Sequence, residues 1–71
     1  MTTGSVYQVV ELIGSSHDSW EQAARNAVRE AAGIYHDLRV AEVVEMDVLI
    51  EDGSVIAFRT KLRLSYKRSS E

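Results

Sequence analysis

Apolar positions along the chain change their period twice. In "SVYQVVELI", residues 5–13, Val6, Val9, Val10 and Ile13 have a strand's composition with a blurred alternation. "GSSHDS" then reads as a turn and a helix start, with Ser16 or Asp18 as the candidate cap and Glu21 three residues after Asp18. From residue 20 to about residue 33 the spacing becomes three and four. Trp20, Ala23, Ala24, Ala27, Val28 and Ala31 form one apolar stripe, with Glu21, Gln22, Arg25, Arg29 and Glu30 on the other positions. A stripe made mostly of alanine lets a sheet approach the helix axis closely but brings little apolar area with it. Gly33 and "YHD" mark the helix end. The remainder predicts a hairpin of two long strands, about 38–50 and 55–67, joined at "EDGS".

The order β-α-β-β predicts an α+β fold, a three-stranded antiparallel sheet wrapped over one helix. The whole of 1–71 forms one domain in this reading, with an ordered core over about 5–67. A three-residue loop Asp52-Gly53-Ser54, closed by Glu51 opposite Val55, sets the hairpin register. Val48 then faces Phe58, Val44 faces Leu62 and Ile50 faces Ile56 on one side. Asp47 faces Arg59 and Glu45 faces Lys61 on the other, as cross-strand ion pairs. Glu42 is the odd residue in this register, because it shares a side with Val40 and Val44 and lies opposite Leu64. A carboxylate there needs an Arg, a backbone N–H, a cation or another subunit.

Composition narrows the classes. A 71-residue chain lies near the lower limit for one self-sufficient core, and scaffolds of this size gain support from disulfides, metals or self-association. There is no cysteine, which excludes disulfides and thiolate-held zinc, and His17 and His36 are too far apart for a local metal motif. Oligomerisation or an oxygen-ligated hard cation remains. No apolar run approaches the ~20 residues of a membrane span, and "MTTGSVYQ" has no signal-peptide pattern, so a soluble cytoplasmic protein is expected. The net charge of −3 argues against nucleic acid as the main partner. Arg59, Lys61, Arg63, Lys67 and Arg68 read as a paired sheet face with a frayed basic end. No GxGxxG, GxxxxGK[ST] or HExxH is present, and nothing nominates a nucleophile and base, so no enzyme is expected. "EDGS" lacks the ligand spacing of an EF-hand.

"VxELIGSS", the alanine-rich "SWEQAARNAVREAA" and "RVAEVVE" followed by a hairpin resemble the dodecins, over roughly residues 5–67. The resemblance implies a small protein of the kind found in bacteria and archaea, assembled as a hollow dodecamer that binds, stores or buffers a ligand. Flavin is the usual ligand of that family, its rings stacked between paired aromatic residues. Flavin-binding dodecins carry a tryptophan in "L-x-W-x-E-V", where this chain has Leu38-Arg39-Val40-Ala41-Glu42-Val43, so Val40 stands at the stacking position. Arg59 in "AFRTK" matches the glutamine that meets the flavin edge. Loss of a stacking aromatic forfeits about 1–3 kcal/mol per ring by analogy with base stacking, and arginine has no acceptor to offer. "SWEQAA", "RVAEVVE-x-D" and "FRTKLRLSYK" look closer to the calcium dodecins, which lack the tryptophan. That resemblance implies calcium as the ligand, with Glu42, Glu45 and Asp47 as candidate ligands gathered from several chains, and flavin in a modified pocket as the alternative.

Overall fold

The computed structural model describes residues 4–68, in the order β1 (Tyr7–Ser16), α1 (Trp20–Ala32), β2 (Leu38–Glu51) and β3 (Ser54–Lys67). Residues 1–3 and 69–71 of the expected domain lie outside the described residues. The three strands form one antiparallel sheet in the order β1-β3-β2, so the last strand is central. The expected α+β architecture, three antiparallel strands with one helix, is the one observed.

The helix cap lies one residue after Asp18 and three after Ser16, the two sequence candidates. Ser19, in extended conformation, is the N-cap, and its Oγ accepts the Gln22 N–H at 2.9 Å. Ser16 instead closes the preceding turn, its Oγ accepting the Asp18 N–H at 2.9 Å. Both serines satisfy local backbone donors, and only the chain direction at residue 19 decides which one opens the helix.

Pairing across the sheet gives rows of three side chains on the helix side. Val10, Leu64 and Ala41 form one row, and Leu12, Leu62 and Val43 the next. Gly14, Thr60 and Met46 follow, then Ser16, Phe58 and Val48. α1 lies over β1 and β3 and barely reaches β2. Its stripe behaves as the spacing predicts: Ala23, Ala27 and Ala31 are buried, and Ala27 and Ala31 join Leu62 and Leu64 as the core. The closest approach is at Gly14. A Cβ added there would collide with the Ala23 carbonyl oxygen and crowd the Ala27 methyl at 3.0 Å. Beside it, Thr60 is buried and its hydroxyl donates to the Trp20 carbonyl at 2.9 Å.

The hairpin departs from the expected register in an instructive way. Glu51 pairs with Ser54, so the turn has two residues, Asp52 and Gly53, both at positive φ (51° and 77°), not the three-residue loop. That is the handedness a tight hairpin needs, and Asp-Gly suits it. Ile50 therefore pairs with Val55, and Ile56 is the extra residue of a bulge that restores the expected pairing from Leu49–Ala57 to Glu45–Lys61. A second bulge at Val44 shifts the register again, so that Leu62 is opposite Val43 and not Val44. A third irregularity, at Arg39, follows near the strand's start.

Gly14→Ala forces α1 off the sheet, because the obstacle is backbone and no rotamer relieves it. We expect a loss of about 3 kcal/mol, the upper part of the usual overpacking range. Gly53→Ala, strained only by its left-handed φ and open to solvent, is expected to lose about 1 kcal/mol. Denaturant unfolding of the two variants beside wild type measures the order. Equal losses would mean that the helix is free to lift away from Gly14.

Candidate acidic face

On the side of the sheet away from α1 the rows are polar. Ser15, Arg59 and Asp47 form one, Ile13, Lys61 and Glu45 the next, then Glu11, Arg63 and Glu42, and last Val9, Ser65 and Val40. The three candidate acids are thus brought to one face, which simple alternation does not allow for positions 42 and 45. The bulge at Val44 changes the parity and turns Glu42 to the outer side. This corrects the expectation that Glu42 lies opposite Leu64 among valines. Its partner is Arg63, with Arg63 Nη1 3.7 Å from Glu42 Oε1.

The acids are held unequally. Arg59 grips Asp47 with two bonds, Nε to Oδ1 at 2.7 Å and Nη2 to Oδ2 at 2.8 Å. The Asp47 carbonyl also accepts the Trp20 indole N–H at 2.9 Å, which ties the start of α1 to the middle of β2. Trp20 rests edge-on against Phe58, ring centroids 5.0 Å apart. Hydrogen bonding from Arg59 holds the Asp47 carboxyl below its ordinary pKa, with the charges of Arg59 and Lys61 acting in the same direction against a desolvation effect. The same bond raises Arg59. Lys61 Nζ lies 3.5 Å from Glu45 Oε1, an exposed pair with no directional grip.

Arg63 is the shared base. Its Nη2 donates to Glu11 Oε2 at 3.0 Å, the shorter of its two carboxylate contacts. Glu11 is not identifiable from the sequence, because only the pairing of the first strand with the last places it opposite Arg63. Strand period puts it on one face with Val9 and Ile13, and two apolar neighbours on that face do not mark it as polar. Four carboxylates (Glu11, Glu42, Glu45 and Asp47) therefore face three bases (Arg59, Lys61 and Arg63).

Two ligand chemistries are tested by these residues. For a hard cation the donors are of the right type, all oxygen, but their number within one chain is short. Among the described residues no group of three acidic, histidine or cysteine side chains converges, whereas calcium takes six to eight oxygens. For flavin, Val40 is an exposed valine on the outer face beside Ser65, and Arg59 is committed to Asp47. Neither offers an aromatic plane, and the residues present do not fit a ring-stacking site. The chain's aromatic pairs, Trp20 with Phe58 and Tyr35 with Tyr66, engage each other instead. Among the described residues no helix is long and apolar enough to cross a membrane.

Comparison with known proteins identifies the family and the fold. The family model described as Dodecin matches residues 6–69. A curated protein named calcium dodecin, from Mycobacterium tuberculosis H37Rv, is 46% identical over 63 residues, 89% of each chain. The solved structure of calcium dodecin from that organism, described as calcium chelating with a novel calcium-binding site, superposes with a TM-score of 0.82 at 43% identity, covering 94% of this chain and 96% of the other. Dodecin from Streptomyces coelicolor superposes with a TM-score of 0.90 at 33% identity, covering 99% and 100%. The chain belongs to the dodecin family.

Because the folded-state pKa of Asp47 is depressed, its stabilising contribution is complete above the unfolded value near 3.9 and is lost as pH falls through the lower, folded value. Asp47→Asn is therefore expected to unfold earlier than wild type by an amount constant from about pH 7 to 5. That difference shrinks below about pH 4. A gap that persists to pH 2 would assign the loss to something other than the Arg59 pair.

Proposed function

We propose that this dodecin is a non-enzymatic binding and storage protein that assembles with its own copies, to a dodecamer, and holds divalent cations, calcium first, at oxygen sites shared between chains. The observation that carries the reading is the unmatched carboxylate at Arg63. One guanidinium serves both Glu11 and Glu42, and Glu42 has the longer contact at 3.7 Å. Glu42 is the first candidate donor and Glu45, loosely paired, the second. Asp47 is the least available of the three, since a cation must displace a two-bond grip from Arg59. Because one chain falls short of calcium's coordination number, the missing oxygens come in this reading from symmetry-related copies, in which the same carboxylate recurs around an axis. The calcium dodecin of M. tuberculosis, similar to this chain over most of its length, supports the choice of cation.

Self-assembly has separate support in the exposed apolar side chains. Among the described residues fourteen large hydrophobic side chains are 39–66% exposed. At roughly 80 Å² apiece they present on the order of 1,000 Å² in all, spread over both faces of the sheet and both ends of the hairpin, which is comparable with the ≈ 800 Å² per partner of a standard interface.

Native mass spectrometry of untreated protein is expected to show a dodecamer with calcium-sized mass increments that EGTA removes. Glu42→Gln is expected to weaken calcium binding about tenfold or more, by loss of a charged oxygen ligand, while Asp47→Asn leaves it within a few-fold of wild type. Absence of increments after calcium is supplied would overturn the cation reading. Wild-type protein is expected to leave the fluorescence of added riboflavin unquenched. Val40→Trp with Arg59→Gln is expected to quench it, and quenching by wild type would favour flavin as the ligand.

A further inference from the structure

The hairpin outruns the rest of the sheet. β1 ends where Ser16 meets Phe58, so the segment from Leu49 to Ala57 is a ribbon of two strands without a third. Two strands alone in water are marginal, and this ribbon is apolar: Ile50, Val55 and Ile56 are 66%, 53% and 42% exposed. Its apex carries Glu51 and Asp52, both exposed and without an ion pair among the described residues.

The opposite end of the molecule has the complementary chemistry. Ile34, Tyr35, His36, Tyr66, Lys67 and Arg68 line an open groove of about 680 Å³. Its wall is the stacked pair Tyr35–Tyr66, centroids 4.7 Å apart, and Ile34 beside it is 63% exposed. Lys67 and Arg68 have no ion pair among the described residues. The groove's one acid, Asp37, is answered by Arg39 at 3.5 Å. Tip and groove lie at the two ends of β3, Ser54 and Lys67, a span of about 44 Å at ~3.4 Å per residue. A chain's tip therefore does not reach its own groove.

We infer that the hairpin tip of one copy docks into the groove of a second copy. Ile50, Val55 and Ile56 lie against Ile34 and the Tyr35–Tyr66 wall, and Lys67 and Arg68 meet Glu51 and Asp52. The contact is heterologous, tip to groove, and so generates a ring when the rotation between copies closes. The apolar part supplies most of the affinity, and the charges set orientation and exclude tip-to-tip contact, where acids meet acids. The inference rests on the self-assembly reading and specifies one of its interfaces.

The test is charge reversal, read by native mass spectrometry and sedimentation, with circular dichroism to confirm folding. Glu51→Lys with Asp52→Asn alters the tip, asparagine being tolerant of the positive φ at 52. Lys67→Glu with Arg68→Glu alters the groove. Each pair is expected to weaken assembly about tenfold or more, and the chain carrying all four changes is expected to regain it. Wild type that assembles while the folded tip and groove variants assemble as well as it does would overturn this inference and leave the assembly reading intact. Loss in each variant without recovery in the fourfold chain would overturn it too. A monomeric wild type would overturn the assembly reading itself.

Discussion

The fold depends on how closely one helix lies on the sheet. Gly14 leaves the space that the Ala23 carbonyl and the Ala27 methyl occupy, and the Thr60 hydroxyl bonds the Trp20 carbonyl across the same contact. Alanines at 23, 27 and 31 make that approach geometrically possible, and the same choice keeps the core small. Two leucines, Leu62 and Leu64, are its only large fully buried apolar side chains among the described residues. With a helix this narrow seated over β1 and β3, β2 is left with Val43 and Met46 uncovered on the helix side. A short chain with so tight a seam leaves much of its remaining apolar surface bare, and under the proposed self-assembly other copies cover it.

The outer face is organised by a different device. Strand side chains alternate, so Glu42 and Glu45 start on opposite sides, and a single extra residue at Val44 brings them together. The central strand then meets acids on both flanks, with Arg63 between Glu11 and Glu42. Exposed ion pairs of this kind contribute little to stability individually. Their larger consequence is to rank the carboxylates by availability, from Asp47, gripped twice, to Glu42, which shares its base with a closer competitor.

The two ends of the long hairpin also differ in kind. One is an apolar ribbon with an acidic apex, the other a basic, aromatic-walled groove, and β3 runs from one to the other. An elongated protomer with unlike ends is suited to assemblies in which each chain both donates and receives a contact. Cation binding and assembly are then coupled in the proposed function, since carboxylates that fall short in one chain are completed only in the company of others.

Much of this was legible in the residues. Hydrophobic period gave the helix and its alanine seam, Asp-Gly marked the turn, and opposite charges at matching distances from that turn paired Asp47 with Arg59 and Glu45 with Lys61. Each of these is a local pattern, or one set by a nearby turn, and local patterns survive without knowledge of the fold. The turn length, the cap at Ser19 and the three register shifts were not legible, because a bulge is a response to sheet twist and strand partners and has no fixed residue signature here. Simple alternation therefore puts Glu42 on the wrong face, and no local pattern points to Glu11, which 52 residues separate from the arginine it meets. Sequence alone determined the elements and the chemistry available to them. Tertiary structure decided which acids share a base and which surfaces lie bare, because both follow from contacts between segments far apart in the chain.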